Sequence, residues 1–369
     1  MKTVNYAIIG TGYFGAKLAR IISEVEGAKL VTLYNRTKSR AQALADELGC
    51  EVSDSLEEAI TRDDVDAVIV ATPNYLHMEP VLLAANHKKH IFCEKPIALN
   101  INDTKKMIQA AKDNNVLFMA GHVMNFFNGV RTTKRLINEG KIGKPLYAHG
   151  ARTGWEEPLT APSWKKNRET SGGHLYHHIH ELDLIQFLMG PAKTVTMVGG
   201  NVTNKNDEFV DEDDMLLLSL EFEDNTFGIM EYGSAFRWSE HYVLIQGSEG
   251  AIKLDMQDVG VTLRRKGVDE HFLLHDSVEE DEDRKNRYMA KTVDGAITFG
   301  KPGKTPPLWL TTIMRKEMEY FNQTILGEEV SEEFKPLLDG TAAQAAIATA
   351  DAATLSLKEN RKVDIKEVL

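Results

Sequence analysis

Four of the chain's 12 histidines lie in one short segment, SGGHLYHHIHELD, which runs from Ser171 to Asp183. Imidazole titrates near neutral pH, so histidines beside a phenol and two carboxylates can donate and accept protons in a reaction. The same side chains can also bind a zinc ion. This segment is therefore the first place to look for a catalytic centre or a metal site.

The spacing of the histidines bears on the metal alternative. His174, His177 and His178 are at i, i+3 and i+4, which on a helix would place them on one face. However, the two glycines before His174 disfavour a helix already formed there, and the pattern is not the HExxH of zinc enzymes. Glu181 and Asp183 are the carboxylates that could complete such a site. We predict that no metal is bound.

A glycine-rich loop follows the first apolar run, VNYAIIG, and opens a helical segment. It fits the pattern GxGxxG and consists of Gly10, Thr11, Gly12, Tyr13, Phe14 and Gly15. The first glycine permits a tight turn, the second lets the backbone approach a pyrophosphate, and the third lets the helix pack on the strand. Free N–H groups at the helix N-terminus can then bind the phosphates. We predict that this loop binds NAD or NADP.

The end of the second strand bears on the choice between these two cofactors. An NAD-preferring site usually carries a carboxylate there, whereas this chain has Asn35 and Arg36, with Lys38 and Arg40 nearby. Asn35 can bind a ribose hydroxyl, and Arg36 can pair with a 2′-phosphate or stack on adenine. The alternative is that the cations only solvate the start of the next helix. We lean slightly towards NADP.

The elements around the loop indicate a doubly wound α/β domain. Short apolar runs alternate with helical periodicity, which is typical of βαβ units and a parallel sheet. The predicted helices lie near Phe14 to Glu24, Lys38 to Leu48, Met78 to Asn86 and Ile101 to Asn114. We assign residues 1–122 to a Rossmann dinucleotide-binding domain.

From about Leu146 onward, short strands separated by turn residues predict an α/β domain with a largely antiparallel open sheet. We assign residues 123–369 to this domain, which would bind substrate and mediate oligomerisation. An Ala-rich stretch, Leu337 to Leu357, predicts a closely packed helix, and the C-terminal helix could pack back on the first domain. The acidic run Glu279 to Arg284 is expected to be a solvated loop.

Composition narrows the partners and the compartment. The net charge of -12 and the pI near 5.5 argue against nucleic acid or an anionic membrane, because both need a basic face. No apolar run is long enough to span a bilayer. The chain has only two cysteines, Cys50 and Cys93, and its N-terminus does not resemble an export signal. We predict a cytoplasmic protein that acts on a small molecule.

Two further motifs accompany the glycine loop: ATPNYLH at Ala71 to His77 and CEKP at Cys93 to Pro96. With them, the chain resembles the Gfo/Idh/MocA oxidoreductase family over essentially its full length. The resemblance implies a Rossmann domain followed by an α/β domain whose open sheet often serves in oligomerisation. It also implies NAD(P)-dependent oxidation of sugar hydroxyls.

The resemblance assigns roles around the nicotinamide. The residues implied to contact the cofactor are Thr72, Pro73, Asn74, His77, Glu94 and Lys95, of which His77 could instead be a structural residue at a helix start. Lys95 is implied to take part in proton transfer. The residues alone agree, since Lys95 follows a buried strand at the sheet edge where ligands bind. Burial and a cationic neighbour are what make a lysine a base at neutral pH.

The histidine segment matches the family pattern, GGGxLxDxGxHxxD, only in part. The match carries the catalytic histidine to His180, and Asp183 takes the final position. Tyr176 stands where the family has an aspartate, and His178 replaces a glycine. Tyr176 could be a proton-transfer group, although a neutral phenol forms weaker hydrogen bonds than a carboxylate.

A polar loop with aromatic residues, Trp155 to Gly173, precedes the histidines and resembles the loops that line sugar sites. We predict substrate contacts from this loop and its neighbours, although each could be an ordinary loop residue. The predicted residues are His122, Asn125, Arg152, Trp164, Arg168, Tyr176, His177 and Asp183. Among the histidines, His177 is the one that most readily fits a structural role.

These features favour an oxidoreductase that moves a hydride between nicotinamide and a carbon of a sugar, inositol or related polyol, with Lys95 and His180 handling the hydroxyl proton. A hydrolytic alternative oxidises a sugar transiently, eliminates the glycosidic group, adds water and restores the sugar. Tyr176, His177 and His178 are the additional acid or base groups that this alternative would use. A third alternative is a regulator that binds cofactor without catalysis. We expect a homo-oligomer, either a dimer or a tetramer.

Overall fold

The computed structural model describes residues 3–157, 159–203, 205, 208–289 and 307–369. Within these residues the chain forms two compact units. The first contains residues 3–123 and 310–344. The second contains residues 124–289, 307–309 and 345–369, apart from the positions just excluded. The first unit therefore receives a segment from late in the chain.

The first unit is built on a parallel sheet with six strands among the described residues, in the order β3-β2-β1-β4-β5-β6. The strands are β1 Val4–Ile9, β2 Ala28–Tyr34, β3 Glu51–Val52, β4 Ala67–Val70, β5 His90–Glu94 and β6 Phe118–Gly121. Central strands such as β4 are buried along their whole length, because helices cover both faces of the sheet. The predicted doubly wound α/β fold is confirmed.

The helices of this unit lie close to where periodicity places them. They are α1 Tyr13–Ile22, α2 Lys38–Leu48, α3 Leu56–Thr61, α4 Met78–Asn86 and α5 Ile101–Asp113. Side chains at the N-caps define two of the starts: Ser55 accepts from the Glu58 N–H, and Asn100 accepts from the Asp103 N–H. Consecutive strands are thus joined at their carboxyl ends to helix N-termini, which is the edge where α/β folds bind ligands.

The second unit contains a mostly antiparallel sheet with nine strands among the described residues, in the order β14-β13-β12-β11-β7-β10-β9-β8-β15. Only β7 and β10 pair in parallel. The strands are β7 Pro145–Trp155, β8 Ala192–Gly200, β9 Met215–Phe222, β10 Phe227–Gly233, β11 Ala235–Gly247, β12 Gly250–Asp255, β13 Gly260–Arg265, β14 Val268–Phe272 and β15 Val363–Asp364. Along β10, Phe227 and Ile229 are 50% and 40% exposed while Met230 and Tyr232 are buried, so one face of the sheet is open.

Eight further α-helices follow β6 in the described residues. They are α6 Asn128–Asn138, α7 Arg168–Ser171, α8 His174–His177, α9 His180–Met189, α10 Val278–Met289, α11 Leu308–Leu326, α12 Lys335–Leu338 and α13 Thr341–Glu359, of which α11 from Leu310 onward and α12 belong to the first unit. The predicted Ala-rich helix is interrupted, because Gly340 adopts a left-handed conformation (φ 77°) between α12 and α13. None of the helices in the described residues is long and apolar enough to cross a membrane.

The acidic run Glu279 to Arg284 is not the solvated loop that its composition suggested. It lies in α10, where the Asp281 carboxylate accepts from the backbone N–H groups of Leu274 and His275 at 3.0 and 2.8 Å. Arg284 donates to the Met256 carbonyl at 2.8 Å, and its guanidinium lies 4.4 Å from the Trp309 ring centroid. These charged side chains are buried because they cap backbone groups and pack on rings, which composition cannot reveal.

Candidate functional site

The loop between β1 and α1 has no room for side chains at two of its glycines. Gly10 has φ 96°, and a Cβ there would lie 2.7 Å from the Ala71 carbonyl oxygen. A Cβ on Gly15 would lie only 1.9 Å from the Gly10 oxygen. By contrast, a Cβ on Gly12 would have no neighbour within 4 Å, and no side chain caps the helix that begins after it. The start of α1 is therefore open at Gly12, where a ligand can approach the backbone.

Two buried hydroxyl groups support a dinucleotide at this edge. The Oγ1 atoms of Thr11 and Thr72 are buried and have no hydrogen-bond partner within the described residues. Thr11 follows β1 and Thr72 follows β4, and these strands are neighbours in the sheet. Buried hydroxyls rarely lack a partner, so the site fits a ligand that supplies acceptors, as the phosphate and ribose oxygens of a dinucleotide do.

The residues at the end of β2 are solvent-accessible. The Asn35 side-chain amide donates to the Thr37 carbonyl at 3.0 Å, which leaves its own carbonyl oxygen available to a ribose hydroxyl. Lys38 pairs with Asp54. Arg36 and Arg40 are exposed. The geometry is therefore compatible with either cofactor.

His77 connects the two motif segments of the first unit. It is buried, and its Nδ1 and Nε2 atoms lie 2.9 Å from the carbonyl oxygens of Pro96 and Thr72 respectively. Burial lowers the pKa of His77, although the hydrogen bonds to backbone carbonyl groups oppose this shift. The side chain positions the ATPN and EKP segments relative to each other, together with Pro73 and the buried Asn74 in the turn that precedes α4.

The EKP motif places an acid with an unusual pKa beside Lys95. Burial raises the pKa of Glu94 to about 7, although the charge of Lys95 opposes this. The Lys95 backbone N–H donates to the Glu94 carboxylate at 3.3 Å. His122, which follows β6, is buried and also favours the charged form of Glu94. Proton exchange is therefore possible at this edge near neutral pH.

The histidine segment of the second unit forms two consecutive helices. The expectation that the glycines prevent a helix at His174 is wrong: α8 begins there, because Gly172 (φ 85°) ends α7 and Gly173 (φ 82°) lies outside α8 as its N-cap. The His178 ring lies 4.5 and 4.9 Å from the rings of His174 and His177, measured between centroids.

Burial and the nearby charge of Arg152 lower the pKa of His178 well below its usual value, so this imidazole is neutral. The charges around His174 are already paired. Lys166 lies between Glu156 and Glu212, with the Glu212 contact at 2.6 Å, and Glu212 lies 3.8 Å from the His174 ring. Within the described part of the chain, no group of three or more histidine, cysteine, aspartate or glutamate residues is arranged to hold a metal ion.

A second buried network involves Glu181. Its carboxylate accepts from Arg152 at 2.8 Å and lies 2.8 Å from His241 Nε2. Because a carboxylate can only accept, Nε2 carries the proton, and Nδ1 accepts from the Tyr288 hydroxyl at 2.7 Å. Burial alone would raise the pKa of Glu181, but Arg152 and His241 outweigh it and hold the pKa well below its usual value.

These networks border a cavity of about 160 Å³ inside the second unit. Its walls combine cationic, imidazole, phenol, hydroxyl and amide groups with one indole and the carboxylate of Glu156. The lining includes Arg152, Trp155, His174, His178, Ser234, Ser239, His241 and Tyr288. Such a concave site with several convergent polar groups suits a small polyhydroxylated ligand.

The structure distributes the predicted substrate residues over different environments. Arg152 lines the cavity, and the Asn125 amide donates to Asp183 at 2.8 Å. The Trp164 ring packs edge-on against His177, with 6.1 Å between centroids. Arg168 is bound to Asp213 at 2.9 Å, so an acidic loop already neutralises it.

Tyr176 is turned away from the cavity. Its hydroxyl donates to Asp351 on α13, and burial together with that carboxylate raises its pKa well above the usual value. Of the other predicted residues in this segment, His180 is half-buried at the start of α9.

Sequence reasoning missed several members of these networks, namely Glu156, Lys166, Glu212, His241 and Tyr288. Each belongs to a pair that joins distant parts of the chain, such as Lys166 and Glu212, which are 46 positions apart. Spacing carries no signal for such pairs. The alternation within β11 could at most have shown that His241 faces the covered side of the sheet.

Comparison with known proteins agrees with this architecture. Residues 4–122 match the oxidoreductase family model for an NAD-binding Rossmann fold, and residues 134–365 match the model for the C-terminal alpha/beta domain of the same family. A protein from Mediterraneibacter gnavus named 2,7-anhydro-N-acetylneuraminate hydratase is 58% identical over 370 residues, covering 100% of this chain and 98% of the relative.

An Escherichia coli protein with the same name is 50% identical over 367 residues, covering 99% of this chain and 98% of the relative. A solved structure of levoglucosan dehydrogenase in complex with NADH and levoglucosan has the same fold, with a TM-score of 0.79 at 22% identity over 99% of this chain and 100% of that one. The chain therefore belongs to the Gfo/Idh/MocA family of NAD(P)-dependent oxidoreductases, as its glycine loop and its ATPN and EKP motifs predicted.

Proposed function

We propose that this oxidoreductase catalyses a reaction without net redox change, in which it opens an internal anhydro bridge of an acidic sugar of the N-acetylneuraminate class by adding water. The proposal is carried by the names of two similar proteins taken together with the dinucleotide loop of this chain. Two relatives that match over nearly their full length, at 58% and 50% identity, are named as hydratases, whereas this chain retains a glycine loop, with unpartnered threonine hydroxyls, that fits a dinucleotide. A hydration needs such a cofactor only if the cofactor is used and restored within each turnover.

A dinucleotide held by the glycine loop, Thr11 and Thr72 would supply the hydride acceptor for oxidising a ring carbinol and the donor for restoring it at the same carbon. The ketone formed makes the adjacent C–H acidic. Loss of that proton expels the bridging oxygen from the next carbon as an alcohol and leaves a C=C bond. Water then adds its oxygen to that next carbon, and the carbon that lost its proton regains one. The sum is the substrate plus one water molecule.

The chain's own groups supply the proton transfers that this sequence requires. Lys95 accepts the hydroxyl proton during oxidation and returns it during reduction, with His180 sharing this role. His178, which lines the cavity as a neutral imidazole, accepts the proton from the carbon beside the ketone. Tyr176 is left out of this machinery, because its hydroxyl is bound to Asp351.

The cavity of the second unit is the proposed site for the sugar. Arg152, which is paired with Glu181, provides a guanidinium group there. Trp155 offers sugar C–H groups the face of its indole that the Arg237 guanidinium does not cover. The Asn125–Asp183 pair, His177 with Trp164, and His122 remain proposed substrate contacts. For Arg168, which is paired with Asp213, we propose instead that it holds its loop in place.

The test is to incubate the purified protein with 2,7-anhydro-N-acetylneuraminate in D₂O, following nicotinamide absorbance and product mass together. We expect the mass of one water to be gained, one deuterium to be bound to carbon beside the transient ketone, and no accumulation of reduced cofactor. Lys95→Ala is the control and should abolish both the gain in mass and the incorporation of deuterium. Stoichiometric reduced cofactor would instead establish the second candidate, net dehydrogenation of a sugar or polyol, which the HxxD match at His180 and Asp183 favours.

The finer cofactor proposal is a modest preference for NADP, supported by the absence of a carboxylate at the end of β2 and by the exposed cation of Arg36. Titration of the protein with NAD⁺ and NADP⁺ checks it, with Arg36→Ala as the matched variant. Tighter binding of NAD⁺ by the unmodified protein would reverse this preference.

We also propose a cytoplasmic homo-oligomer, formed through the open face of the nine-stranded sheet. The support is a set of exposed apolar side chains on neighbouring strands, namely Val198, Leu217, Phe227 and Ile229. Light scattering distinguishes a dimer or tetramer from a monomer, and Phe227→Glu should shift the distribution towards the monomer.

A further inference from the structure

Helix α11 carries a buried acid that no predicted site includes. Glu317 is 0% exposed, and neither of its carboxyl oxygens accepts a hydrogen bond from any group among the described residues. Buried polar groups are nearly always paired, because an unpaired one destabilises the fold. A glutamate in this position therefore calls for an explanation other than packing.

The packing of α11 shows which part of the sheet Glu317 faces. Phe321, one helical turn later on the same face, contacts Phe92 of β5, with 6.0 Å between ring centroids. Phe92 and Glu94 are two positions apart on this strand, so their side chains point to the same side of the sheet. The helix face that carries Glu317 thus covers the side of β5 from which Glu94 projects.

The charges at this interface are coupled. Burial raises the pKa of Glu317 well above its usual value, and the charge of Glu94 raises it further. Glu94 itself faces Lys95 and His122, both of which favour its ionised form. Because two buried carboxyls in electrostatic contact do not both ionise readily, Glu317 holds its proton at neutral pH while Glu94 titrates.

We propose that Glu317 is a positioning residue for the EKP motif, a protonated carboxylic acid whose O–H group donates to the ionised Glu94 carboxylate and keeps it in place beside Lys95. The effect on turnover rests on the proposed function, in which Lys95 transfers a proton. The protonation of Glu317 does not depend on that function.

The first test is infrared spectroscopy of the protein with its dinucleotide but without substrate, at mildly alkaline pH. We expect a carbonyl band from a protonated carboxylic acid that is absent from Glu317→Gln. The matched control is Glu319→Gln, a change on the same helix at a more accessible side chain, which should leave the band in place. A band that persists in Glu317→Gln, or is absent from the unmodified protein, overturns the proposal.

The second test compares Glu317→Gln with Glu317→Leu. Gln can still donate to Glu94 and should keep kcat and its pH profile, whereas Leu fills the space but cannot donate. Without the donor the ionised form of Glu94 is less favoured, so the pKa of Glu94 rises. As the solution is acidified, activity is then lost at a higher pH than in the unmodified protein. In Glu317→Leu we expect the acid limb of the kcat–pH profile to move up by about one pH unit, and kcat at neutral pH to fall on the order of tenfold.

Equal pH profiles for the Leu and Gln variants would show that Glu317 only fills space. If the proposed substrate is not turned over, the same shift can be read without substrate, from the infrared titration of Glu94 as assigned with Glu94→Gln. If Glu317→Leu does not fold, the band in the Gln variant still decides. Failure of the proposed function and failure of this inference therefore give different results.

Discussion

The two units differ in how their buried polar groups are paired. At the carboxyl edge of the first unit, the hydroxyl oxygens of Thr11 and Thr72 have no hydrogen-bond partner within the described residues. Around the cavity of the second unit, the cations of Lys166 and Arg152 each sit in an ion pair, although Glu181 Oε2 and Gln257 Oε1 have no hydrogen-bond partner within the described residues. The first site keeps hydroxyl groups for a ligand, whereas the second pairs its cations with its own carboxylates. The two should accordingly respond differently to substitution.

Lys95→Ala should have the largest effect, because it removes the proposed proton acceptor and also a cation that favours the ionised form of Glu94. Loss of a general base typically lowers the rate by about 10²–10⁴-fold, and we expect a kcat lower by about 10³-fold. The dissociation constant of the dinucleotide should change little, since the glycine loop is intact. Steady-state kinetics combined with cofactor titration checks both values. A variant that keeps kcat within threefold would remove Lys95 from the mechanism.

The glycine loop offers a matched pair that separates folding from ligand binding. Gly15→Ala forces a Cβ against the Gly10 carbonyl oxygen, so we expect it to lower the free energy of unfolding by about 2–4 kcal/mol and to abolish cofactor binding. Gly12→Ala meets no atom within 4 Å in the free protein and should leave the melting temperature unchanged. Because the pyrophosphate approaches the backbone there, its cofactor affinity should still fall about tenfold or more. Thermal unfolding with and without dinucleotide tests the pair, and equal behaviour of the two variants would contradict this reading of the loop.

The difference between the two units also separates the features that the sequence predicts from those that it does not. The helices Lys38–Leu48 and Met78–Asn86 lie where predicted, because their periodicity is local information. The acidic run in α10 was misread, since the burial of Arg284 depends on Trp309, which is distant in sequence. No sequence pattern indicated a role for Glu317 either, because its electrostatic coupling to Glu94 arises only when α11 packs on β5. Local pattern thus predicts the nucleotide edge better than it predicts the buried networks.

Glu181→Gln should affect stability more than chemistry, because it leaves Arg152, whose side chain is only 17% exposed, without its anionic partner. Breaking one partner of a buried ion pair typically costs about 3–5 kcal/mol, and we expect a loss at the lower end, since the amide oxygen can still accept one hydrogen bond. Chemical denaturation at neutral pH measures this loss.

The acid sensitivity of the fold gives a second readout for Glu181. Its pKa is depressed in the folded protein, so its stabilisation is complete above the unfolded-state value of about 4.3–4.5 and is lost as the pH falls towards the folded value. The difference in stability between Glu181→Gln and the unmodified protein should therefore shrink on acidification. A difference that is independent of pH would mean that the carboxylate is not ionised in the folded state.

Tyr176→Phe should have the smallest effect and bears most directly on the histidine segment. The sequence placed Tyr176 among the catalytic groups, whereas its hydroxyl is bound to Asp351 and is turned away from the cavity. We expect kcat to change by less than about threefold and the free energy of unfolding to fall by about 1–2 kcal/mol, the cost of leaving a partly buried carboxylate with one donor fewer. His178→Phe is the matched comparison, because it removes a ring that does line the cavity and should lower kcat at least about tenfold. If the order of the two effects on kcat is reversed, proton transfer runs through the phenol at position 176, and the cavity is not where the chemistry takes place.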